Sequence, residues 1–314
     1  IESRESGQRC VLTATNEEAL CILGLLQEQG LRAGLIQSLD GFRLTELVEI
    51  RFFLRVIDRS LHSPVIPDSL WAKAKDRLYS AYADSACLEN CRNLIERFET
   101  LYPAHYRTDL EEFIGESRFE DFFTDRQDRI TVSTIHKAKG REFDSVWMLL
   151  QGVTANTDDE KRVLYVGMTR ARNRLFIHSN RPIMPAIHRE GICQLRDRET
   201  YEEPSELTLH LTHRDVNLGY FLPRKQVILS LRSGMPLSPD GDGLCTEKNG
   251  RPVRVLRYSK AFSERLALLA EKGFLPASAS IRFIVAWKGE EDGQESAVIL
   301  PSLRLKRSPP EESS

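Results

Sequence analysis

The stretch ITVSTIHKAKGREFDSVW, residues 130–147, decides the fold of this chain. It begins with an apolar run that ends at Thr134, continues through a polar segment from His136 to Glu142, and returns to apolar residues after Phe143. Short apolar runs rich in β-branched side chains are typical of buried strands. The stretch therefore predicts two strands, 130–134 and 145–150, joined by a polar connection in an α/β sheet.

The first forty residues predict the beginning of the same sheet. Residues 10–13 form a strand-like run, Asn16 can cap a helix whose leucines recur at helical spacing, and 31–36 predict a second strand after Gly30. A strand, a helix and a further strand in this order indicate a parallel sheet.

Between residues 39 and 129 the pattern changes to helices alone, with Pro67 and Pro103 at plausible helix borders. The sheet pattern resumes at Ile130, and a helix from about Asp159 leads into a last strand at 174–179. The predicted fold class is therefore α/β, with a parallel sheet that a helical insertion splits in two.

Beyond Pro182 the pattern becomes mainly β, and we expect a small barrel-like domain with helices. Asn249 and Gly250 form a strong two-residue hairpin signal. The predicted elements are a helix at 217–231, hairpin strands at 244–248 and 252–258, a helix at 259–272, and strands at 280–287 and 297–305.

Composition restricts the class of protein. The chain has 314 residues, 41% of them hydrophobic, and a net charge of −2, so that any affinity for nucleic acid must arise locally. Such basic stretches exist at 161–182 and 251–288. The longest apolar runs fall far short of the roughly 20 residues of a membrane span. Six cysteines without a CxxC pair disfavour a zinc site or a disulfide framework, so we expect no metal site and a reducing cytoplasm.

A second segment, DDEKRVLYVGMTRARNRL at residues 158–175, carries further candidate residues. On a helix, Arg162, Tyr165 and Thr169 lie three and four residues apart and share a face, which places Arg170 near the helix C-terminus. A planar guanidinium there can contact a phosphoryl group. The alternatives are a surface arginine that compensates the helix dipole and, for Tyr165, a packed core aromatic.

Together the two segments resemble motifs V and VI of the UvrD, Rep and PcrA helicases of superfamily 1. The matching residues are TIHKAKGREF at 134–143 and RVLYVGMTRA at 162–171, and VLTATNEEA at 11–19 matches loosely where that family resumes its second motor domain. The resemblance implies a RecA-like second motor domain, 2A-like, at 1–38 and 130–182. It also implies a reduced 2B-like helical insertion at 39–129. The β domain at 190–307 has no matching family, and we expect a disordered tail at 308–314.

The resemblance also implies a role for each matching residue. Arg170 would contact the γ-phosphate of ATP as the catalytic arginine finger. The other ATP-binding residues implied are Glu142, which would bond the ribose, with Gly140, Arg162 and Tyr165. The residues implied to couple the nucleotide to single-stranded DNA are Thr134, His136 and Lys139.

Some features depart from the family pattern. Arg141 and Lys137 replace smaller or apolar residues, and no GxxxxGK[ST] sequence or acidic strand end of Walker B type is present. ATP and Mg²⁺ are the expected cofactors, and they require a backbone cradle, a lysine and an acidic ligand. We expect these in a first motor domain that precedes Ile1, and we expect the 314 residues alone not to hydrolyse ATP.

The C-terminal part offers further candidates for contact with DNA. The basic ones are His213, Arg214, Arg254, Arg257 and Lys260. The aromatic ones, which can stack bases if exposed and otherwise belong to the core, are Tyr220, Phe221, Tyr258 and Trp287. A small barrel serves protein partners equally well, so a protein partner stays open here.

The preferred hypothesis is an ATP-dependent helicase or translocase acting on single-stranded or forked DNA in replication, repair or recombination. It would work with the first motor domain of the same polypeptide, away from membranes, in the cytoplasm and associated with the nucleoid. One alternative is a non-catalytic module, derived from a helicase, that binds DNA or protein. Another is the motor part of a helicase-nuclease.

Overall fold

The computed structural model describes residues 7–35, 43–60, 63–117, 122, 130–152, 156–180, 204–248, 250–288 and 295–307. Their helices are α1 (Asn16–Glu28), α2 (Val48–Asp58), α3 (Asp68–Ala81), α4 (Leu88–Leu101), α5 (Arg107–Glu116), α6 (Asp158–Met168), α7 (Lys225–Leu229) and α8 (Lys260–Glu271). The strands are β1 (Arg9–Thr13), β2 (Ala33–Leu35), β3 (Ile130–Thr134), β4 (Phe143–Leu150), β5 (Ala171–Ser179), β6 (Glu206–His210), β7 (Pro236–Asp240), β8 (Gly243–Lys248), β9 (Arg251–Arg257), β10 (Phe274–Lys288) and β11 (Glu295–Arg307). No helix in these ranges is long and apolar enough to cross a membrane.

The chain forms two compact units. Unit 1 contains residues 1–38 and 126–207, and unit 2 contains residues 39–125 and 208–314. Residues of the predicted helical insertion and of the predicted C-terminal β domain therefore lie in the same unit. The predicted boundaries between domains stay predictions.

Unit 1 is built on a five-stranded sheet in the order β2-β3-β1-β4-β5. All four pairings are parallel, which confirms the predicted α/β class. Strands β1, β3 and β4 bury side chains on both faces, as expected when helices cover a parallel sheet on either side, whereas most of β5 is exposed. Leu23 of α1 packs with Val132 and Trp147 in one core cluster, and Leu164 of α6 packs with Met148 in the other.

The two described helices of unit 1, α1 and α6, each begin with a capping box. Thr15 accepts a hydrogen bond from the backbone of Glu18, and Thr157 accepts one from the backbone of Glu160, each at 3.2 Å. Each glutamate in turn accepts a bond from the backbone N–H of its cap residue. The prediction that Asn16 caps α1 is wrong, because Thr15 has the extended cap geometry and Asn16 is the first helical residue.

Unit 2 joins the helices α2 to α5 to an antiparallel sheet, and α7 and α8 belong to the same unit. The helices α2 to α5 enclose an aromatic core. In it the ring of Trp71 meets that of Phe53 edge-on, with 5.2 Å between the ring centroids, and the centroid of Phe98 lies 5.5 Å from that of Trp71. The sheet runs in the order β6-β11-β10-β7-β8-β9. An isolated β-bridge between Val216 and Tyr258 links the chain after β6 to the chain after β9.

In unit 2 the predicted hairpin around residues 248–251 is present, and the predicted helix at 217–231 is not. Lys248 pairs with Arg251 across the predicted two-residue turn, of which Asn249 lies outside the described residues. The predicted helix at 217–231 is wrong: two 3-10 turns, Leu218–Tyr220 and Leu222–Arg224, precede the short α7. Pro223 lacks an N–H and clashes with the preceding turn, so one continuous helix is disfavoured. The predicted tail at 308–314 lies outside the described residues.

Candidate functional site

The loop at 135–142 connects β3 to β4 and folds into tight turns. Thr134, the last residue of β3, is buried, and its carbonyl accepts from Ala138 N at 3.1 Å. Its hydroxyl accepts from Lys137 N at 3.4 Å. Gly140 has a φ of +81°, which a glycine adopts without the steric cost that other residues incur. Local hydrogen bonds and one glycine therefore define the path of the 135–142 loop.

The loop is anchored by its apolar residues and exposes its polar ones. Ile135 and Ala138 belong to the core cluster beneath α6. His136, Lys139 and Glu142 are exposed. Because buried anchors alternate with exposed side chains, the loop can present charged groups to a ligand while its backbone stays fixed to the sheet.

The candidate residues divide between the two edges of the sheet. Strands β3 and β4 are parallel and both flank β1, so the 135–142 loop must run from the carboxyl edge of the sheet to its amino edge. Thr134 lies at the carboxyl edge. Glu142 lies at the amino edge, directly before β4, where Phe143 N donates to Arg170 O at 2.8 Å. Ligands of open α/β sheets are expected at the carboxyl edge, but only part of this set lies there.

Arg170 lies at the amino edge, two residues beyond the end of α6, and its guanidinium bonds to three places. Its Nε donates to Val166 O at 2.9 Å, and its Nη1 donates to Arg141 O at 3.0 Å. Its Nη2 donates to the hydroxyl of Thr169 at 3.0 Å. The arginine therefore ties the C-terminal turn of α6 to the 135–142 loop.

Four other residues are predicted for an ATP site, and all of them are exposed: Gly140, Glu142, Arg162 and Tyr165. Glu142 forms an ion pair with Arg172, whose Nε lies 3.1 Å from Glu142 Oε2. Arg162 pairs with Asp159 at 3.1 Å on the surface of α6. Tyr165 is 64% exposed, so it is not the core aromatic that was the alternative reading.

Sequence reasoning places Thr169 on the helix face of Arg162 and Tyr165 but assigns it no role, and it misses Arg172. Helical spacing gives no indication that Thr169 bonds to Arg170 or that Arg172 pairs with Glu142. The sequence also gives no sign of the close approach of α6 to β4 at Gly167. A Cβ on Gly167 would lie 2.5 Å from Met148 Cε, so the glycine allows α6 to pack closely on β4.

The basic candidates of unit 2 are partly neutralised. Arg254 donates to Asp240 at 2.9 Å and to Asp242 at 2.7 Å, and Arg257 donates to Asp242 at 2.6 Å. The hydrogen bond from Arg257 lowers the pKa of Asp242 below its usual value. These ion pairs reduce the net positive charge that the sequence window at 251–288 predicts.

The remaining candidates of unit 2 are divided between the surface and the core. Arg214 and Lys260 are exposed, and the ring of His213 stacks on Trp287 at 4.7 Å. Phe221 and Tyr258 are buried, which supports the core reading for these two aromatics. Within the described ranges, no three His, Cys, Asp or Glu side chains are grouped to hold a metal ion.

Comparison with known proteins places part of this chain in a family. Residues 64–181 match the model of the UvrD-like helicase C-terminal domain. That range includes α3 to α5, the 135–142 loop and α6. It therefore covers both segments that carry the candidate site.

Three relatives extend this likeness. The ATP-dependent DNA helicase Rep of Buchnera aphidicola subsp. Acyrthosiphon pisum (strain APS) is 33% identical over 67 residues, which is 18% of this chain and 10% of that protein. The Rep protein of subsp. Schizaphis graminum (strain Sg) is 30% identical over 103 residues, or 29% and 14%. The RecBCD enzyme subunit RecB of Chlamydia pneumoniae is 24% identical over 213 residues, or 60% and 20%. The chain thus spans between a tenth and a fifth of the length of these relatives.

Proposed function

Because this chain belongs to the UvrD/Rep-type superfamily 1 DNA helicases and carries their C-terminal region, we propose that it supplies one half of an ATP site and couples ATP hydrolysis to movement on single-stranded DNA. The first motor domain of the same polypeptide would supply the other half. Single-stranded or forked DNA during replication, repair or recombination is the proposed substrate.

The geometry around Arg170 is the observation that carries this proposal. A guanidinium has five N–H donors, and three of them have acceptors in Val166, Arg141 and Thr169. Among the described residues, one N–H on each terminal nitrogen has no acceptor and can meet a ligand. A fixed, planar pair of donors suits a phosphoryl group, whose transfer is accelerated by an arginine that stabilises the developing charge.

The residues present fit the phosphate and ribose ends of ATP. Arg170 offers donors, Glu142 offers carboxylate oxygens for hydroxyl groups, and Tyr165 is an exposed aromatic on α6. They do not offer a cradle or carboxylate cluster for Mg²⁺ within the described ranges. ATP supplies the transferred phosphoryl group when it is bound, and the role of this chain is to orient it and stabilise its charge.

The 135–142 loop supports the proposed coupling to DNA. Its backbone carbonyl at Arg141 is held by Arg170, and the same loop exposes His136 and Lys139. A change at Arg170 on nucleotide binding would therefore reach the loop through one hydrogen bond. Lys139 is suited to a DNA phosphate, because phosphate contacts position a protein on nucleic acid without reading its sequence.

The decisive experiment measures DNA-stimulated ATPase turnover of the full-length protein and of Arg170→Ala. Loss of an arginine finger lowers turnover by about a thousandfold or more. Lys73→Ala, an exposed cation outside the basic stretches at 161–182 and 251–288, is the control and is expected to keep wild-type turnover. Undiminished DNA-stimulated turnover in Arg170→Ala would refute the proposal.

A second candidate function is that of a motor part within a multi-subunit enzyme. The relative that matches the largest share of this chain is named as a subunit of the RecBCD enzyme. Purification of the full-length protein from its own cells, followed by measurement of the mass of the complex, tests this candidate. A monomeric mass together with full DNA-stimulated turnover would exclude it.

A further inference from the structure

The hydroxyl of Thr169 stands between the end of α6 and the guanidinium of Arg170. It donates to Val166 O at 3.0 Å and accepts from Arg170 Nη2 at 3.0 Å. A threonine hydroxyl has one donor, so the bond to Val166 fixes the direction of its hydrogen and leaves the lone pairs facing the arginine. Thr169 is thereby oriented as an acceptor for one specific N–H.

Three contacts fix the plane of the guanidinium. Val166 O lies on the Nε side, Arg141 O receives a bond from Nη1, and Thr169 receives one from Nη2. Two of these acceptors are backbone carbonyls that side-chain substitution cannot remove. The threonine hydroxyl is the acceptor that a single substitution can delete, and with it the contact that holds the Nη2 side of the guanidinium.

We propose that Thr169 is a positioning residue that holds Arg170 in the orientation needed to meet a phosphoryl group. This inference rests on the proposed function, since it assumes that Arg170 acts on ATP. Donors that are already in place cost no reorganisation at the moment of reaction, which is why preorganised groups stabilise charge better than mobile ones. Without the hydroxyl, the guanidinium keeps only its two bonds to backbone carbonyls and is held less firmly on its Nη2 side.

The test compares Thr169→Val with Thr169→Ser in the full-length protein. Valine keeps the shape of threonine and removes the hydroxyl, whereas serine keeps the hydroxyl. We expect Thr169→Val to lower kcat by about tenfold, as the loss of one bond to a charged group predicts, while the KM for ATP changes far less. Thr169→Ser is expected to retain most of the wild-type kcat.

Thr100 provides a matched control for the loss of a helix-terminal threonine bond. It lies near the end of α4, is exposed, and its hydroxyl donates to Glu96 O at 2.8 Å. No arginine bonds to it among the described residues. Thr100→Val therefore removes the same kind of bond without touching the site, and its kcat is expected to equal that of the wild type.

The outcomes separate this inference from the proposed function. If Arg170→Ala is inactive but Thr169→Val turns over normally, the positioning role is overturned and the proposed function stands. An equal loss in Thr169→Ser and Thr169→Val also overturns it, because the hydroxyl would then not be the cause. Full turnover in Arg170→Ala removes the proposed function itself.

Discussion

Glu49 is a fully buried carboxylate at the start of α2. Its Oε1 accepts from Ser85 at 2.7 Å and from Ser233 at 3.4 Å, while its Oε2 has no hydrogen-bond partner among the described residues. Burial raises the pKa of Glu49 above its usual value, because the charged form is poorly solvated there. The folded protein therefore holds this proton more tightly than the unfolded chain does.

This raised pKa predicts a loss of stability with rising pH. The free energy of unfolding begins to fall when the pH reaches the carboxyl pKa of the unfolded chain, and the fall is complete once the pH exceeds the higher pKa of Glu49 in the folded state. Glu49→Gln removes the ionisation, so we expect it to be more stable than the wild type at pH 8, by on the order of 1 kcal/mol, and equal to it at pH 4. Urea unfolding of the 314-residue chain at both pH values measures this.

Glu99 is a control of opposite sign. Burial alone would raise its pKa, but hydrogen bonds from Lys75 and Trp71, each 2.6 Å long, outweigh burial and lower it. The stability gained from Glu99 is present at neutral pH and is lost as pH falls through the lowered pKa, so Glu99→Gln is expected to be less stable than the wild type at pH 8. Equal responses of the two variants would contradict the assignment.

At the scale of elements, the ends of the helices provide the next prediction. Thr15 accepts from the backbone of Glu18 and Asn16 is already helical, so Thr15→Ala should lower the free energy of unfolding by about 1 kcal/mol. Asn16→Ala, next to it and exposed, should change it by less than about 0.5 kcal/mol. Thr157→Ala at α6 is expected to match Thr15→Ala. Urea unfolding measures all three, and a larger loss in Asn16→Ala would show that the cap is assigned to the wrong residue.

The bounds of the helices and strands show which features of the fold can be predicted from the sequence and which cannot. Strand β3 is predicted to the residue, since its β-branched run follows the charged Arg129 and the polar segment that starts at His136 limits it at the other end. The start of α1 was misplaced although the signal, a threonine followed three residues later by Glu18, was present in the sequence. Pro223 was likewise visible and was outweighed by the apolar periodicity around it.

The membership of the candidate site stays a prediction, and its geometry could not be predicted from the sequence. Motif position selects Arg170 and Glu142 as candidates. The contacts of Arg170 with Val166 O and Arg141 O depend on how α6 ends and how the 135–142 loop turns, and neither is encoded by residue spacing. Tertiary hydrogen bonds of this kind depend on the folded structure and cannot be inferred from residue spacing.

At the scale of the whole molecule, unit 2 joins two stretches that are far apart in the chain. The turn between α3 and α4 meets the segment before β7, where Ala86 N donates to Ser233 O at 2.9 Å. Gly234 has a φ of +93°, and a Cβ there would lie 2.9 Å from Ala86 Cβ. A β-bridge between Leu47 and Val285 joins the same two stretches elsewhere. The helices and the antiparallel sheet should therefore unfold together.

Gly234→Ala tests this cooperativity. The positive φ and the close contact together should cost about 2 kcal/mol or more. If unit 2 is one folding unit, the amides of α4 and of β10 become exposed in one cooperative opening step. The free energy of that opening, measured by amide hydrogen exchange, should then fall by the same amount in both elements. Gly250→Ala is the control. The φ of Gly250 is +72°, but a Cβ placed there would have no described atom within 4 Å apart from its chain neighbours. Only the backbone cost of about 1 kcal/mol therefore applies. Acceleration confined to β10 would mean that the helices fold independently of the sheet, as the separate domains predicted from sequence require.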